Sequence, residues 1–296
     1  MGKRDEGLTS FGTSMPSMGL TRCVPFITLS EYAPRAWVTL TGCNFDCRGC
    51  FSIAKKEVGT PMTVEALCSL VRTASEDRYG GGSLEEVLVT GGEPTLDPGY
   101  LLDLVRGLRG LADEVTVQSN AHLMTPALVD SLVGAGMTSL LVDVKAWDDE
   151  RHRWYTGCSN REVLSNVRYA SQRVRMVVNT LLMPGVVGPE DIESIARFLS
   201  ECRPKDLEYR INPFRAELSP EPLSRTPGDD EMASAVDIAR RSYERTNRSR
   251  SCLKETDGGR SKGWLTVFPD GRTEARGLQD YRKKNRELYS DLKDRK

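Results

Sequence analysis

The sequence has very little histidine and no excess of charge of either sign. Among 296 residues only His122 and His152 are histidines, and we interpret each as a loop or cap residue rather than a catalytic base. The 41 Lys and Arg residues offset the 42 Asp and Glu residues, so no global attraction to nucleic acid or anionic membranes is expected. No apolar run approaches a membrane span, and the first residues lack the apolar core of a signal peptide. We therefore expect a cytoplasmic protein.

Three of the eight cysteines form an informative pattern. Cys43, Cys47 and Cys50 have C-x3-C-x2-C spacing and follow an apolar, strand-like run. Three thiolates on a short loop can each bind a different iron of a [4Fe–4S] cluster, which needs four ligands. One iron is then open to a small molecule that binds through nitrogen and oxygen atoms. Closed zinc sites usually take four Cys or His ligands, and disulfide frameworks pair an even number of cysteines, so an iron–sulfur site is preferred.

The other cysteines and a basic stretch are not assigned to a functional site. Cys68 lies on an apolar helical stripe and is predicted to be a core residue. A second cluster would require the fold to gather four cysteines that do not form pairs in the sequence, namely Cys23, Cys158, Cys202 and Cys252. We interpret five arginines as a solvated helix face rather than a phosphate or RNA contact, namely Arg240, Arg241, Arg245, Arg248 and Arg250.

A second motif follows the next apolar run. Val87, Leu88 and Val89 favour a strand, and Gly91-Gly92-Glu93-Pro94 ends it. The two glycines allow the backbone to approach a ligand closely, while the Glu93 carboxylate can accept hydrogen bonds from a cationic group. The separation of about forty residues from the cysteines fits a helix between two parallel strands. By itself such a turn would be an ordinary loop.

The alternation of strand-like and helical patterns predicts an α/β fold. The predicted strands are 36–41, a strand ending at Thr90, 114–118, 139–144, 175–182 and 207–211, and the helices between them begin near residues 64, 100, 126, 162 and 192. Thr63 is the expected N-cap of the first helix, and Gly134 is expected to end the third. Six βα units predict a partial TIM-like (β/α)6 barrel, with chemistry on the loops after the strands.

We divide the chain into three parts. Residues 1–30 are predicted to form an N-terminal arm, 31–216 the barrel, and 217–296 a linker with a C-terminal extension. Within the extension, Asp229 is expected to cap a helix, and Pro269-Asp270-Gly271 to form the turn of a β-hairpin. The charged tail from Tyr281 is expected to be helical or frayed.

Polar residues also follow the third and fourth strands. Because side chains alternate along a strand, Asp143 and Lys145 share a face. They either hold a ligand at the mouth of the barrel or form a solvent-facing ion pair that contributes little. Gln118-Ser119-Asn120 places short polar side chains at the end of the third strand.

Together these motifs resemble the radical S-adenosylmethionine (SAM) superfamily. The cysteine triplet matches its cluster loop, and Gly91–Pro94 match its GGEP motif. Within that superfamily, the stretch from Asp143 to Val167 is similar to pyruvate formate-lyase activating enzymes, which carry Asp-x-Lys, a following His and a Gly-x-Ser-Asn segment. The similarity continues through Asn179–Gly185 and Asn212–Arg215, and covers about residues 36 to 216.

The resemblance implies a set of ligand-binding residues. The cluster ligands would be Cys43, Cys47 and Cys50. Asp143 and Lys145 would be the catalytic pair. The residues that would bind SAM are Gly49, Phe51, Gly91, Gly92, Glu93, Pro94, Ser119, Asn120, Asp143, Lys145, Asn179 and Arg215.

The sequence also departs from the family pattern. Gly49 replaces the usual aromatic residue that contacts adenine, and Phe51 is expected to substitute for it. Gln118-Ser119 replaces Asp-Thr, Asn179 replaces an arginine, and Arg215 replaces a histidine. Glu31–Arg35 and Phe51-Ser52 also differ from the corresponding motifs of glycyl-radical activases.

The implied activity is reductive cleavage of SAM at a [4Fe–4S] cluster, giving a 5′-deoxyadenosyl radical that abstracts hydrogen, as in glycyl-radical-enzyme activases. The partner would be a protein or a small molecule, and flavodoxin or ferredoxin would donate the electron. One alternative is a radical SAM enzyme that acts on a small molecule, a peptide or RNA. The other is an iron–sulfur protein that only carries electrons.

Overall fold

A computed structural model of the chain describes residues 20–248, 256–257, 260–261 and 263–277. The strands of this part are β1 (Thr21–Val24), β2 (Ile27–Ser30), β3 (Arg35–Leu40), β4 (Thr60–Thr63), β5 (Leu84–Gly91), β6 (Ala112–Ser119), β7 (Ser139–Asp143), β8 (Arg175–Leu182), β9 (Leu207–Pro213), β10 (Thr246–Arg248), β11 (Thr256–Asp257), β12 (Arg260–Ser261), β13 (Gly263–Val267) and β14 (Thr273–Gly277).

The α-helices lie between these strands, and short 3-10 turns span Ile53–Lys55 and Pro94–Leu96. The helices are α1 (Val64–Tyr79), α2 (Pro98–Arg109), α3 (Pro126–Ala135), α4 (Asp149–Thr156), α5 (Arg161–Ala170), α6 (Pro189–Glu201) and α7 (Asp229–Arg240).

Ten strands form one sheet in the order β10-β9-β8-β7-β6-β5-β3-β2-β13-β14. From β10 to β3 the neighbouring strands are parallel, whereas β2, β13 and β14 extend the sheet in antiparallel fashion. The register places Leu40, the last residue of β3, beside Gly91, the last residue of β5. The cysteine loop after β3 and the glycine turn after β5 therefore leave the sheet side by side.

The two faces of the parallel strands differ in burial. On β5 and β6, Val87, Val89, Val115 and Val117 are fully buried and belong to the main hydrophobic core. On the other face, Glu86, Leu88 and Gln118 are partly exposed. This alternation, together with helices that cover the apolar face, describes a partial α/β barrel whose inner face is open to a ligand.

The predicted core elements are confirmed, with small shifts at their ends. All six strands and all five helices between them are present, and Thr63 caps α1 by accepting a hydrogen bond from the Ala66 N–H at 3.3 Å. Helix α3 ends at Gly136, in the left-handed region at φ 111°, and not at Gly134. Helix α7 is capped by Gly228 and not by Asp229.

The sequence patterns missed several shorter elements. Helix α4 was not predicted because it lacks an apolar stripe, and β10 adds a seventh parallel strand beside β9. Within the predicted arm, Ile27–Ser30 pairs with β3 in the main sheet. The boundaries at residues 30 and 216 stay predictions.

The C-terminal hairpin is confirmed, since β13 and β14 pair around the turn that contains Gly271. The tail from Tyr281, Cys252 and Arg250 lie outside the described residues. The basic stretch is not a single helix face: α7 ends at Arg240, and beyond it Arg245 pairs with Asp206 at 2.8 Å and Arg248 with Asp229 at 2.7 Å. Cys68 is buried in the core, as predicted.

Candidate active site

A cavity of about 440 Å³ opens at the carboxyl ends of the parallel strands. Thirteen of the fifteen residues predicted for the site line it: Cys43, Cys47, Gly49, Cys50, Phe51, Gly91, Gly92, Ser119, Asn120, Asp143, Lys145, Asn179 and Arg215. Because they lie on or just after six different strands, the fold has brought together residues that are far apart in the sequence. Glu93 and Pro94 do not line the cavity.

The three cysteines of the loop after β3 are free thiols. Burial raises the pKa of the Cys47 thiol to about 12, although the nearby Lys145 ammonium opposes the shift. Burial also raises the pKa of Cys43, and the neighbouring Cys50 adds to that rise. Without metal, Cys43 and Cys47 are therefore protonated near neutral pH, and a positively charged metal group would be needed to hold them as thiolates.

The arrangement of the thiols does not match a single-ion site. Across the described ranges, no three Cys, His, Asp or Glu side chains are grouped so that they could hold one metal ion. A structural zinc site requires its ligands around a single ion. A [4Fe–4S] cube is larger, and each cysteine binds a different iron. The same observation gives no support to a second cluster at Cys23, Cys158 and Cys202.

Gly49 has a conformational reason to be glycine. Its φ is +70°, in the left-handed region, and a Cβ atom would lie 2.7 Å from both the Ser219 hydroxyl and the Leu223 side chain. An aromatic side chain at this position would displace the segment after β9. Phe51 lines the cavity and is 45% exposed, so its ring is available to a ligand.

The glycines after β5 are required by the neighbouring backbone. A Cβ atom on Gly91, which has φ +123°, would collide with the Leu40 carbonyl, and one on Gly92 would collide with the Gly42 carbonyl. The Gly92 N–H donates to the Leu40 carbonyl at 2.8 Å, and the Glu93 N–H donates to the Gly42 carbonyl at 2.7 Å. The glycine turn is thus bound directly to the start of the cysteine loop.

Glu93 lies beneath the wall of the cavity rather than on it. Its side chain is fully buried, and one carboxylate oxygen accepts hydrogen bonds from the Thr95 N–H at 3.0 Å, the Thr95 hydroxyl at 2.6 Å and the Ser119 hydroxyl at 2.8 Å. The other oxygen accepts from the Asn120 N–H at 2.7 Å. Burial raises the pKa of this carboxyl. Glu93 therefore ties the end of β5 to the end of β6, and its direct contact with a ligand stays a prediction.

Asp143 and Lys145 form an ion pair at 3.3 Å on the wall after β7. Their side chains are 26% and 19% exposed, respectively, so the pair is not a fully solvated surface bridge. Burial lowers the pKa of Lys145, whereas the negative charge of Asp143 raises it, and the net shift is upward. Lys145 is therefore a charged ammonium group close to the cysteines.

Gln118 joins this pair to the end of β5. Its amide Nε2 donates to Asp143 Oδ2 at 3.3 Å, and its Oε1 accepts from the Thr90 hydroxyl at 2.8 Å. Since Lys145 approaches the same Asp143 oxygen, Asp143 is held by two donors. The geometry fixes this carboxylate in place while leaving it at the cavity surface.

The remaining predicted residues have distinct surroundings. The Asn120 side chain donates to Asn44 Oδ1 at 2.7 Å and approaches Cys43 Sγ at 4.0 Å, so it lies against the cysteine loop. Asn179 accepts a hydrogen bond from the Asn212 amide at 3.3 Å. Arg215 pairs with Glu217 at 3.7 Å.

Sequence reasoning missed several residues of the cavity wall. The residues in question are Phe45, Ser52, Lys55, Tyr155, Leu181, Pro213 and Phe214. Lys55 pairs with Asp46 at 2.5 Å and donates to the Cys47 carbonyl at 3.2 Å, yet no pattern in the sequence singles it out. Burial raises the pKa of Tyr155 to about 12, and this residue could have been found only by recognising α4.

A family model described as the radical SAM superfamily matches residues 37–199, more than half of the chain. The chain belongs to the radical SAM superfamily. The matched range contains the cysteine loop, the glycine turn and the Asp143–Lys145 pair, but ends before Arg215.

Among curated proteins, the radical SAM chain is 29% identical over 203 residues to a Methanocaldococcus jannaschii protein provisionally named a glycyl-radical enzyme activating enzyme, covering 67% of this chain and 74% of that protein. It is 32% identical to the isethionate sulfite-lyase activating enzyme of Oleidesulfovibrio alaskensis, over 58% of this chain and 55% of that enzyme. The chain thus spans about three quarters of the first relative and about half of the second.

A solved structure supports the fold alone. Coproporphyrinogen III oxidase from Escherichia coli, a radical SAM enzyme, superposes with a TM-score of 0.54 at 13% identity, over 88% of this chain and 70% of that chain. At this identity the comparison carries no information about the substrate. Across the residues that the structure describes, no helix is both long and apolar enough to cross a membrane.

Proposed function

We propose that this radical SAM enzyme cleaves SAM reductively at a [4Fe–4S] cluster held by Cys43, Cys47 and Cys50, and that the radical abstracts hydrogen from a polypeptide partner. A cluster held by these cysteines would supply one electron to SAM, whose S–C5′ bond would break to give methionine and a 5′-deoxyadenosyl radical. This radical would take a hydrogen atom from the partner. The electron would come from a reduced flavodoxin or ferredoxin.

The observation that carries the proposal is the shared cavity. The three thiols, which follow β3, lie on the same cavity as Gly91 and Gly92 at the end of β5 and the Asp143–Lys145 pair at the end of β7. A protein that only carries electrons needs no ligand cavity beside its cluster. The cavity also lies within the range of the sizes that bind small molecules and cofactors.

The residues present fit the cluster and SAM. Three cysteines supply three ligands and leave one iron for SAM. The Lys145 ammonium, whose pKa is raised by Asp143 despite its burial, offsets the negative charge of thiolates and can meet the SAM carboxylate. Backbone carbonyl groups of the glycine turn are suited to the SAM amine, while Phe51 offers an exposed ring to the adenine. The cavity walls hold these groups in place and exclude water from the reacting atoms.

The identity of the partner is inferred from the relatives. The two curated relatives are named as activating enzymes, one for glycyl-radical enzymes and one for isethionate sulfite-lyase. We therefore propose a protein substrate with a reactive backbone position, rather than a small metabolite.

An anaerobic assay tests the proposal. The protein is reconstituted with iron and sulfide, reduced with dithionite and supplied with SAM. We expect about four irons per chain and formation of 5′-deoxyadenosine that requires dithionite. A candidate partner labelled with deuterium at glycine should transfer the label into 5′-deoxyadenosine.

Two results would contradict different parts of the proposal. Stoichiometric zinc with no iron uptake would contradict the cluster assignment. Alternatively, dithionite-dependent 5′-deoxyadenosine could carry deuterium from a labelled small molecule and from no glycyl-radical protein. That result would support the SAM chemistry and reject the polypeptide partner.

A further inference from the structure

Both histidines of the chain pack against the same ring in the cysteine loop. The Phe45 ring lies edge-on to His122 at a centroid distance of 5.5 Å and to His152 at 5.6 Å. Phe45 is 3% exposed and stands between Cys43 and Cys47 in the sequence. His122 lies in the turn after β6, as predicted for a loop residue, whereas His152 lies within α4.

The backbone of the cysteine loop docks on the last turn of α4. The Asp46 N–H donates to the Thr156 carbonyl at 2.8 Å, and the Arg48 N–H donates to the Tyr155 carbonyl at 2.9 Å. The Arg48 side chain donates to the Trp154 carbonyl at 3.1 Å and stacks over the Trp154 ring at 4.9 Å. The last carbonyls of a helix lack partners within the helix, and here the cysteine loop supplies them.

His152 forms a hydrogen bond to the turn that follows this helix. It is fully buried, and its Nδ1 lies 2.7 Å from the Cys158 carbonyl oxygen. A carbonyl oxygen only accepts, so Nδ1 carries the proton and donates. Burial lowers the pKa of His152, which favours the neutral ring. The Cys158 thiol in turn donates to the Asn44 carbonyl at 3.8 Å. A chain of contacts therefore runs from His152 through Cys158 to the cysteine loop.

We propose that the C-terminal turn of α4, held by His152, preorganises the cysteine loop before any cluster is bound, so that His152 is a positioning residue for the cluster. The inference rests on the proposed function because it assigns the cluster to this loop. Residues 44, 45, 46 and 48 are each anchored outside the loop. The loop therefore loses its conformational entropy during folding, and little further entropy is lost when iron binds.

Hydrogen–deuterium exchange of the metal-free wild-type protein tests preorganisation directly. Peptides covering residues 44–50 should exchange slowly, at rates comparable to those of α4, because the Asp46 and Arg48 N–H groups are bonded to α4 carbonyls. Free exchange of these peptides, with the sheet still protected, would overturn the inference. This measurement requires no variant to fold.

Three variants separate the contributions of the His152 ring. His152→Phe retains an aromatic edge against Phe45 but loses the donor to Cys158, whereas His152→Asn places an amide N–H where Nδ1 was. Glu150→Gln on the exposed side of α4 is the matched control. We expect His152→Phe to release iron to a chelator about tenfold faster and to lose protection at residues 44–50, with the sheet unaffected. His152→Asn should restore both to within about twofold of the wild type, as the control does.

The outcomes separate this inference from the proposed function. Equal iron release and equal loop protection in His152→Phe and the wild type would overturn the positioning role. A protected loop in a wild-type protein that takes up no iron would leave preorganisation standing and reject the cluster assignment.

Discussion

Two carboxylates flank the cavity, Glu93 below the β5–β6 wall and Asp143 on the β7 wall, and their surroundings are opposite. Glu93 is fully buried, with four hydrogen bonds from uncharged donors. Asp143 is 26% exposed and is paired with an ammonium group. Both were predicted to bind SAM from their motifs. The difference indicates that Glu93 stabilises the architecture of the site, whereas Asp143 faces the ligand.

The comparison predicts that ligand-side changes remove function without unfolding the protein. The largest effect is expected from Cys43→Ala, Cys47→Ala or Cys50→Ala, because each removes one of three cluster ligands. Iron content and 5′-deoxyadenosine formation should fall to background, while the melting temperature of the metal-free protein changes by only a few degrees, since all three residues are partly exposed. Cys23→Ala, on β1, is the matched control and should retain iron. Full iron content in any of the loop variants would remove that cysteine from the ligand set.

A change at Glu93, which stabilises the architecture of the site, should instead destabilise the folded protein. Glu93→Ala leaves buried donors of Thr95, Ser119 and Asn120 without their acceptor, and each such loss costs about 1–3 kcal/mol. Because these losses overlap, we expect the free energy of unfolding to fall by about 3 kcal/mol or more in urea titrations of the metal-free protein. Glu85→Ala, in an exposed ion pair with Arg35, should change stability by under about 1 kcal/mol. A stable Glu93→Ala protein that cannot cleave SAM would reverse the comparison and make Glu93 a ligand residue.

The difference between the two carboxylates also marks the limit of the sequence analysis. Apolar patterning was sufficient to predict the six core strands, because their apolar side chains face a single hydrophobic core. The cysteine and GGEP motifs located seven of the residues that line the cavity, namely Cys43, Cys47, Gly49, Cys50, Phe51, Gly91 and Gly92. The GGEP motif could not reveal that the Glu93 carboxylate turns toward β6, since its donors on Ser119 and Asn120 are brought near only by the pairing of β5 with β6.

Helix α4 was missed for a related reason. It is short, carries charged residues in its first turn and buries few side chains, so it has no apolar stripe. One stabilising contact is tertiary, because its last carbonyl groups accept hydrogen bonds from the cysteine loop. The other is local, because Asp148 caps its start by accepting a hydrogen bond from the Arg151 N–H at 2.8 Å. An Asp followed by an acidic first turn was the available signal for its N-terminus.

On the ligand-facing wall, Asp143→Asn and Lys145→Met should have intermediate effects. Each removes one charge-assisted contact, worth roughly 1.5–3 kcal/mol, so SAM affinity or 5′-deoxyadenosine yield should fall by at least about tenfold. Cluster content should stay near the wild-type level. SAM titrations followed by EPR of the reduced cluster measure the loss. Asp206→Asn, which perturbs exposed ion pairs with Arg175 and Arg245, is the control. If both site variants bind and cleave SAM as the wild type does, Asp143 and Lys145 form only a surface ion pair with no role in SAM binding.

The smallest expected effect is on the pH dependence of the free energy of unfolding, which distinguishes Glu93 from Asp143 without an activity measurement. Burial raises the pKa of Glu93 in the folded protein, so folding favours its protonated form. Below the pKa of the unfolded chain, about 4.3, Glu93 is protonated in both states. As the pH rises above that value, the unfolded chain releases the proton first, and stability falls until the folded pKa is passed. Glu93→Gln cannot ionise and should lose this slope, whereas Asp143→Asn should retain it. Urea titrations of the metal-free proteins between pH 4 and 7 measure the difference between each variant and the wild type, so that titrations common to both cancel. If the Glu93→Gln difference stays constant across this range, the Glu93 carboxyl is not shifted by burial, and its contrast with Asp143 then rests on hydrogen bonding alone.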